Sequence, residues 1–190
     1  MDIRVSVQAL YYISKRYKDN ATRYTNKMAA LKLLFFAEKY HLQQYGRMIT
    51  DDTFFAMKNG PVASAARDVL NFDNVNTNVG YSRDFIDNVD KYFYKEVDNN
   101  NELDMLSETD IEALDFSISH FKHLDKRKLV EETHKYQEWK RYESLFNTDA
   151  SKRENVYEED FFTNTGIAND PFLLIPQDIV ELSKEFYLNG

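Results

Sequence analysis

The chain has 190 residues, 43% of them apolar and 15% aromatic, with a formal net charge of −8. That suits one globular domain with a real core and excludes a disordered chain. Without cysteine it has no disulfide, thiolate nucleophile or Cys-ligated metal, as suits a reducing cytoplasm. The acidity argues against sequence-independent nucleic-acid binding, although a local basic patch could survive it.

The start, Met1-Asp2-Ile3-Arg4, is no secretory leader, and no apolar run approaches the roughly 20 residues of a membrane span. A cytoplasmic protein without membrane contact is expected. Ile3, Val7, Leu10 and Tyr11 form a helical stripe, and Lys15, Arg16 and Lys18 place positive charge at its end, where the helix dipole favours it. Thr25 or Asn26 can cap the next helix. Met28, Leu31, Leu34 and Phe35 mark one face of that helix, while Leu33, Phe36 and Ala37 make its middle apolar nearly all round. It should therefore sit at the centre of the core.

Gly46 can take the left-handed conformation that ends this helix. Alternation over Thr53–Lys58 predicts a short strand or extended loop, and Pro61 is placed at the first position of a new helix bearing Val62, Ala65, Ala66, Val69 and Leu70. Residues 71–80 are rich in turn formers and read as a loop. Lys91–Val97 reads as a strand, Asn99–Asn101 as a turn and Leu103–Leu106 as the returning half of a hairpin, with the aromatic strand also pairing with the Phe54 segment.

Ser107 with Asp110 predicts a capping box for a helix to about Leu124. Asp125 opens a further helix whose inner side runs through Leu129, Thr133, Tyr136 and Trp139 towards Tyr142, Leu145 and Phe146. Residues 147–160 read as a charged surface loop, and Pro176 starts a last helix carrying Ile179, Val180, Leu182 and Phe186. The fold expected is mainly α (α+β): a single compact helical domain over 1–190 with a small β-hairpin or short sheet.

The chemistry-bearing patterns are sparse. His120 and His123 stand three apart, a spacing that suits a metal, but with no Cys and no HExxH the expectation is a satisfied or exposed pair and no metal site. His134 is expected to make a structural hydrogen bond to backbone. Asp51 should brace the corner by accepting backbone N–H bonds, and Glu158, Glu159 and Asp160 read as a solvated run. There is no phosphate-binding glycine loop, dinucleotide fingerprint or G-x-S-x-G elbow, so neither catalytic residues nor a cofactor is expected. With 13 Tyr and 14 Phe, more than a small core easily hides, aromatic surface should remain for a partner. Tyr40, Tyr45, Phe55, Lys58 and Asn59 are the candidate partner-binding patch.

Two separated segments carry a resemblance. Lys32-Leu33-Leu34-Phe35-Phe36-Ala37 leads through Gly46 and Asp51 to Ala56-Met57-Lys58-Asn59-Gly60-Pro61-Val62, and Leu129, Thr133, His134 and Trp139 follow in order. Together they resemble the Panacea domain of SocA-like antitoxins from bacterial and phage toxin–antitoxin pairs. Met57 departs from the pattern, which often has Trp there. The resemblance implies a Panacea-like fold with a family-like core at about 25–146 and a C-terminal helical extension over 147–190. It further implies a non-enzymatic antitoxin that neutralises a cognate toxin by direct protein–protein binding. The alternatives are a proteolytic adaptor that also engages a protease chaperone, docking through 147–170 or the C-terminal tail, and a DNA-binding autorepressor. The last ranks low, because the helix after Pro61 offers only Arg67 as a cation.

Overall fold

The computed structural model describes residues 2–72, 79–97, 101–163 and 166–189. Its helices are α1 (Ile3–Arg16), α2 (Lys27–Tyr45), α3 (Ser64–Asn71), α4 (Val79–Phe85), α5 (Glu108–Phe121), α6 (Lys126–Thr133), α7 (Gln137–Lys140), α8 (Glu143–Asn147) and α9 (Gln177–Asn189). Short 3-10 turns cover Glu158–Phe162 and Pro171–Leu174. The strands are β1 (Thr25–Asn26), β2 (Phe54–Met57), β3 (Gly60–Ala63), β4 (Ile86–Asn88), β5 (Phe93–Glu96) and β6 (Arg153–Asn155). They form two small antiparallel sheets, ordered β1-β5-β4 and β3-β2-β6. The protein is compact, mainly helical and α+β, as expected.

The apolar helix α2 lies at the centre. Asn26 caps it, its Oδ1 accepting from the amides of Met28 and Ala29, and Gly46 ends it in the left-handed conformation at φ 65°. Leu33, Leu34, Phe35, Phe36 and Ala37 are all fully buried. Phe36 stacks on Phe121 at 3.9 Å between ring centres, and Phe35 meets Phe54, Tyr136 and Phe161. Ser117 of α5 donates to the Leu33 carbonyl at 2.7 Å. The capping box at Ser107 and the cap at Asp125 form as the spacing predicts. No helix among the described residues is long and apolar enough to cross a membrane.

Several expectations fail for identifiable reasons. Pro61 does not start a helix: it sits in β3, an edge strand, where a missing N–H need not break a ladder. Helix α3 begins at Ser64 instead, because the carboxylate of Asp52 accepts from the amides of Ala65 and Ala66. Asp52 thus braces the start of α3. Leu103–Leu106 forms no strand; β5 pairs with β4 and β1, so the aromatic strand and the Phe54 strand belong to different sheets. Val79 and Gly80, read as loop, begin α4, whereas the rest of the predicted loop, 73–78, and most of the Asn99–Asn101 turn lie outside the described residues.

The segment after Asp125 breaks into α6, α7 and α8, since extended backbone at Tyr136 (φ −91°, ψ 152°) turns the chain back towards β2. Within 147–160, Arg153–Asn155 pairs with Phe55–Met57 as β6. Asp160 is buried and bound to Arg141, so it is not part of a solvated run. Most phenylalanines are core, while on α9 Leu182 and Phe186 face out, 64% and 68% exposed.

Candidate functional site

Residues from α2, the β2–β3 hairpin and the α6–α7 bend converge on one cluster. The hairpin turns through Lys58 and Asn59, and Gly60 follows at φ 92°, a region open to glycine. A Cβ at Gly60 would collide with Thr133 Oγ1 and lie 3.1 Å from Lys32 Nζ. Lys32 is buried and donates to the Pro61 carbonyl at 2.6 Å. Trp139 Nε1 donates to the Met57 carbonyl at 2.9 Å, so the indole clamps the hairpin from the other side. The His134 ring stacks flat on Trp139, 3.6 Å between centres. Thr133 Oγ1 donates to the Val130 carbonyl. Leu33 and Phe36 lie in the core behind the cluster, and Val62 on the hairpin's second strand.

The electrostatics follow from burial. Desolvation pushes the Lys32 amine down to about 7, because a carbonyl is its one hydrogen-bond acceptor among the described residues. Burial, with the Lys32 charge next, lowers His134 to about 4 and keeps the ring neutral. The expected hydrogen bond from the His134 side chain is not seen: its Nε2 is buried without a partner among the described residues, and stacking holds the ring.

In front of this cluster lies a cleft of about 410 Å³. Lys27 and Lys32 reach it from α2, Lys58 from the hairpin turn and Arg67 from α3; Lys91, Lys126 and Lys152 complete the rim. Asp149 is the single lining carboxylate among the described residues and pairs with Lys58 at 3.0 Å. Met28, Leu31, Met57, Val62 and Tyr92 supply apolar wall. A local basic patch therefore does survive in this acidic chain.

The five residues of the candidate partner patch fall into separate groups. The Tyr40 and Tyr45 hydroxyls both donate to the Glu112 carboxylate at 2.8 Å, and Tyr40 stacks on Phe116, which fastens α2 to α5. Phe55 lies under the Arg153 guanidinium at 3.3 Å, and Lys58 with Asn59 lines the basic cleft. Lys32 and Tyr40 are eight residues apart on α2, about 12 Å along a helix, so the tyrosines are not neighbours of the cleft. His120 Nδ1 lies 2.9 Å from the Phe116 carbonyl and His123 is exposed; among the described residues no group of three metal-ligating side chains occurs.

Landmarks from 32–37, 56–62 and 129–139 thus meet in space, whereas Gly46 lies at the other end of α2 against Ser183 and Phe186. A family model described as the antitoxin SocA-like Panacea domain matches residues 31–140. The chain belongs to this family. No curated protein and no solved structure matches the chain. The matched span of the Panacea domain runs from the second turn of α2 to the end of α7, so the cluster around Gly60 lies wholly inside it. α1, β6 and α9 lie outside.

Three polar features of the Panacea domain escaped the sequence reading. Lys39 and Glu138 form a fully buried ion pair at 2.8 Å. Glu38 is buried and accepts from the amides of Ile49 and Thr50 and from the Thr50 hydroxyl; burial pushes it up to about 7 against those bonds. The third is the basic cleft. The available signal was charge inside an apolar helix: Lys32, Glu38 and Lys39 interrupt an otherwise apolar run over 31–39 and are buried with it.

Proposed function

We propose that the protein is a non-enzymatic antitoxin that neutralises a cognate toxin by direct protein–protein binding. The observation that carries this reading is the match to the SocA-like antitoxin family over residues 31–140. The clustered landmark residues support it by their engagement. Thr133 is bonded to backbone, His134 is stacked and neutral, and Trp139 is spent on the hairpin. A general base needs a positioned proton and an orienting partner, and none of these three has a carboxylate in hydrogen-bond reach among the described residues. Rigid anchoring of the hairpin lowers the ordering cost of any interface built on its tip. The edge carrying Phe55, Lys58 and Asn59 is the surface proposed for the toxin.

A second reading, the proteolytic adaptor, is favoured by one observation: α9, outside the matched span, exposes Leu182 and Phe186, which would serve as a second docking surface. Co-expression with the product of the adjacent reading frame separates the two. Direct neutralisation predicts growth rescue that persists in a host lacking the partner protease, and rescue lost with Phe55→Glu and Lys58→Glu while helicity stays intact. Rescue that vanishes with the protease would favour the adaptor, and retained rescue by the double variant would remove the hairpin edge as the toxin surface.

A further inference from the structure

The cleft in front of Lys32 has properties that toxin binding does not call for. Among the described residues it gathers seven cationic side chains against one carboxylate in a chain of net charge −8, so its charge there is opposite to that of the whole molecule. Part of that charge is already used: Arg67 pairs with Asp68, Lys58 with Asp149, and Lys27 donates to Asn88. Lys126 and Lys152 are exposed and make no ion pair among the described residues, and Lys91 rests over the Tyr92 ring. Lys32 is the odd member. The residue is 1% exposed and lines the cleft, and its ammonium has one carbonyl acceptor among the described residues, so it can still donate to a group entering the cleft.

Like charges gathered at one site repel, and a buried amine with a single neutral acceptor loses hydration it does not recover. A multivalent anion relieves both. Lysine is a point-charge binder of phosphate and needs no glycine-rich nest, which fits a site with Pro61 where a backbone donor would be. Between the charges the wall is apolar, from Met28, Leu31, Met57 and Val62, with the Tyr92 ring 58% exposed at the edge. That combination suits a flat ring attached to a short run of phosphates, and about 410 Å³ lies within the range of small-molecule sites. An acidic peptide spreads its charges along an extended backbone, whereas a polyphosphate carries them in one short run that the cations of a single cleft can meet together.

We propose that this cleft binds a nucleoside polyphosphate, with the phosphates on Lys32, Lys126 and Lys152 and the base against the Met57–Tyr92 wall. The proposal does not rest on the antitoxin reading and stands or falls separately from it.

The test is isothermal titration of the whole chain at low salt with ATP and GTP as probes, beside adenosine, inorganic triphosphate and hexaglutamate. One of the two nucleotides should bind saturably at one site. Raised salt, and the pair Lys126→Glu with Lys152→Glu, should each weaken it by at least about tenfold, since rim charges act through screened Coulomb attraction. Lys122→Glu with Lys128→Glu changes the same charge on exposed α6-side positions that do not line the cleft, and should shift affinity by less than about threefold. Adenosine and inorganic triphosphate should both bind more weakly than the nucleotide. Four results would overturn the proposal: no saturation by either nucleotide, the rim pair acting no more strongly than its control, triphosphate binding as tightly as the nucleotides, or hexaglutamate matching them. The last would make the cleft a seat for an acidic protein segment.

Discussion

Lys32 and Lys39 stand seven residues apart on one helix, both buried, and meet opposite surroundings. Lys39 Nζ reaches Glu138 Oε1 at 2.8 Å, the Phe161 carbonyl at 2.8 Å and the Thr163 carbonyl at 3.5 Å. It ties α2 to α7 and to the 3-10 turn that follows β6. Lys32 has the Pro61 carbonyl and faces a cleft. A buried cation with a full set of acceptors organises the fold; one with a single neutral acceptor is held at a cost, and the cleft gives that cost a use. The same helix therefore carries a structural lysine towards its end and a binding lysine towards its start.

Breaking the structural half should do the most damage. Glu138→Ala strands a buried ammonium, and loss of one partner of such a pair costs about 3–5 kcal/mol; urea unfolding followed by circular dichroism should show it. Gly60→Ala comes next. The methyl would meet Thr133 Oγ1 at a backbone angle that L-residues rarely adopt, and strain with overpacking suggests about 2–4 kcal/mol. Asp52→Ala removes the carboxylate that satisfies the first amides of α3, worth about 1–2 kcal/mol by analogy with N-cap losses. It should leave the cleft's lining unchanged.

Lys32→Met should have the smallest effect and the opposite sign, neutral to stabilising by on the order of 1 kcal/mol near pH 6. The pH dependence sharpens the comparison. Lys32 titrates at about 7 in the folded protein against 10.5 when free of its surroundings, so between those values the unfolded chain binds the extra proton. This group's contribution to stability then rises with pH across that window, and below pH 7 its burial cost is present in full. The advantage of Lys32→Met over the parent should therefore shrink between pH 7 and pH 10. Parallel pH–stability curves for the two proteins would show that Lys32 is not held as described.

The central helix, its two caps, the extended segment at Phe54–Met57 and the capping box at Ser107 were legible in the sequence because each rests on local chemistry. Pro61 misled because its fixed φ suits both a helix start and an edge strand; the deciding factor was Asp52, which caps α3 from outside that helix. β6 was hidden because a three-residue edge strand of Arg, Glu and Asn has no alternation to read. The hairpin for β5 was assigned to the wrong side because pairing depends on which segment reaches it, and α4 delivers β4 from upstream. Lys32, Gly60, Thr133, His134 and Trp139 were legible as landmarks, but their convergence on one cluster behind a basic cleft was not. The charge of that cleft collects from six separate elements and turns, none of them strongly basic alone.

The most direct test is to mix the purified chain with the purified product of the adjacent reading frame and follow them by size-exclusion chromatography with light scattering. A stable complex that elutes together, formed without nucleotide turnover or any protease, is the expected result. Two separate peaks at concentrations well above those that protect cells would contradict direct neutralisation.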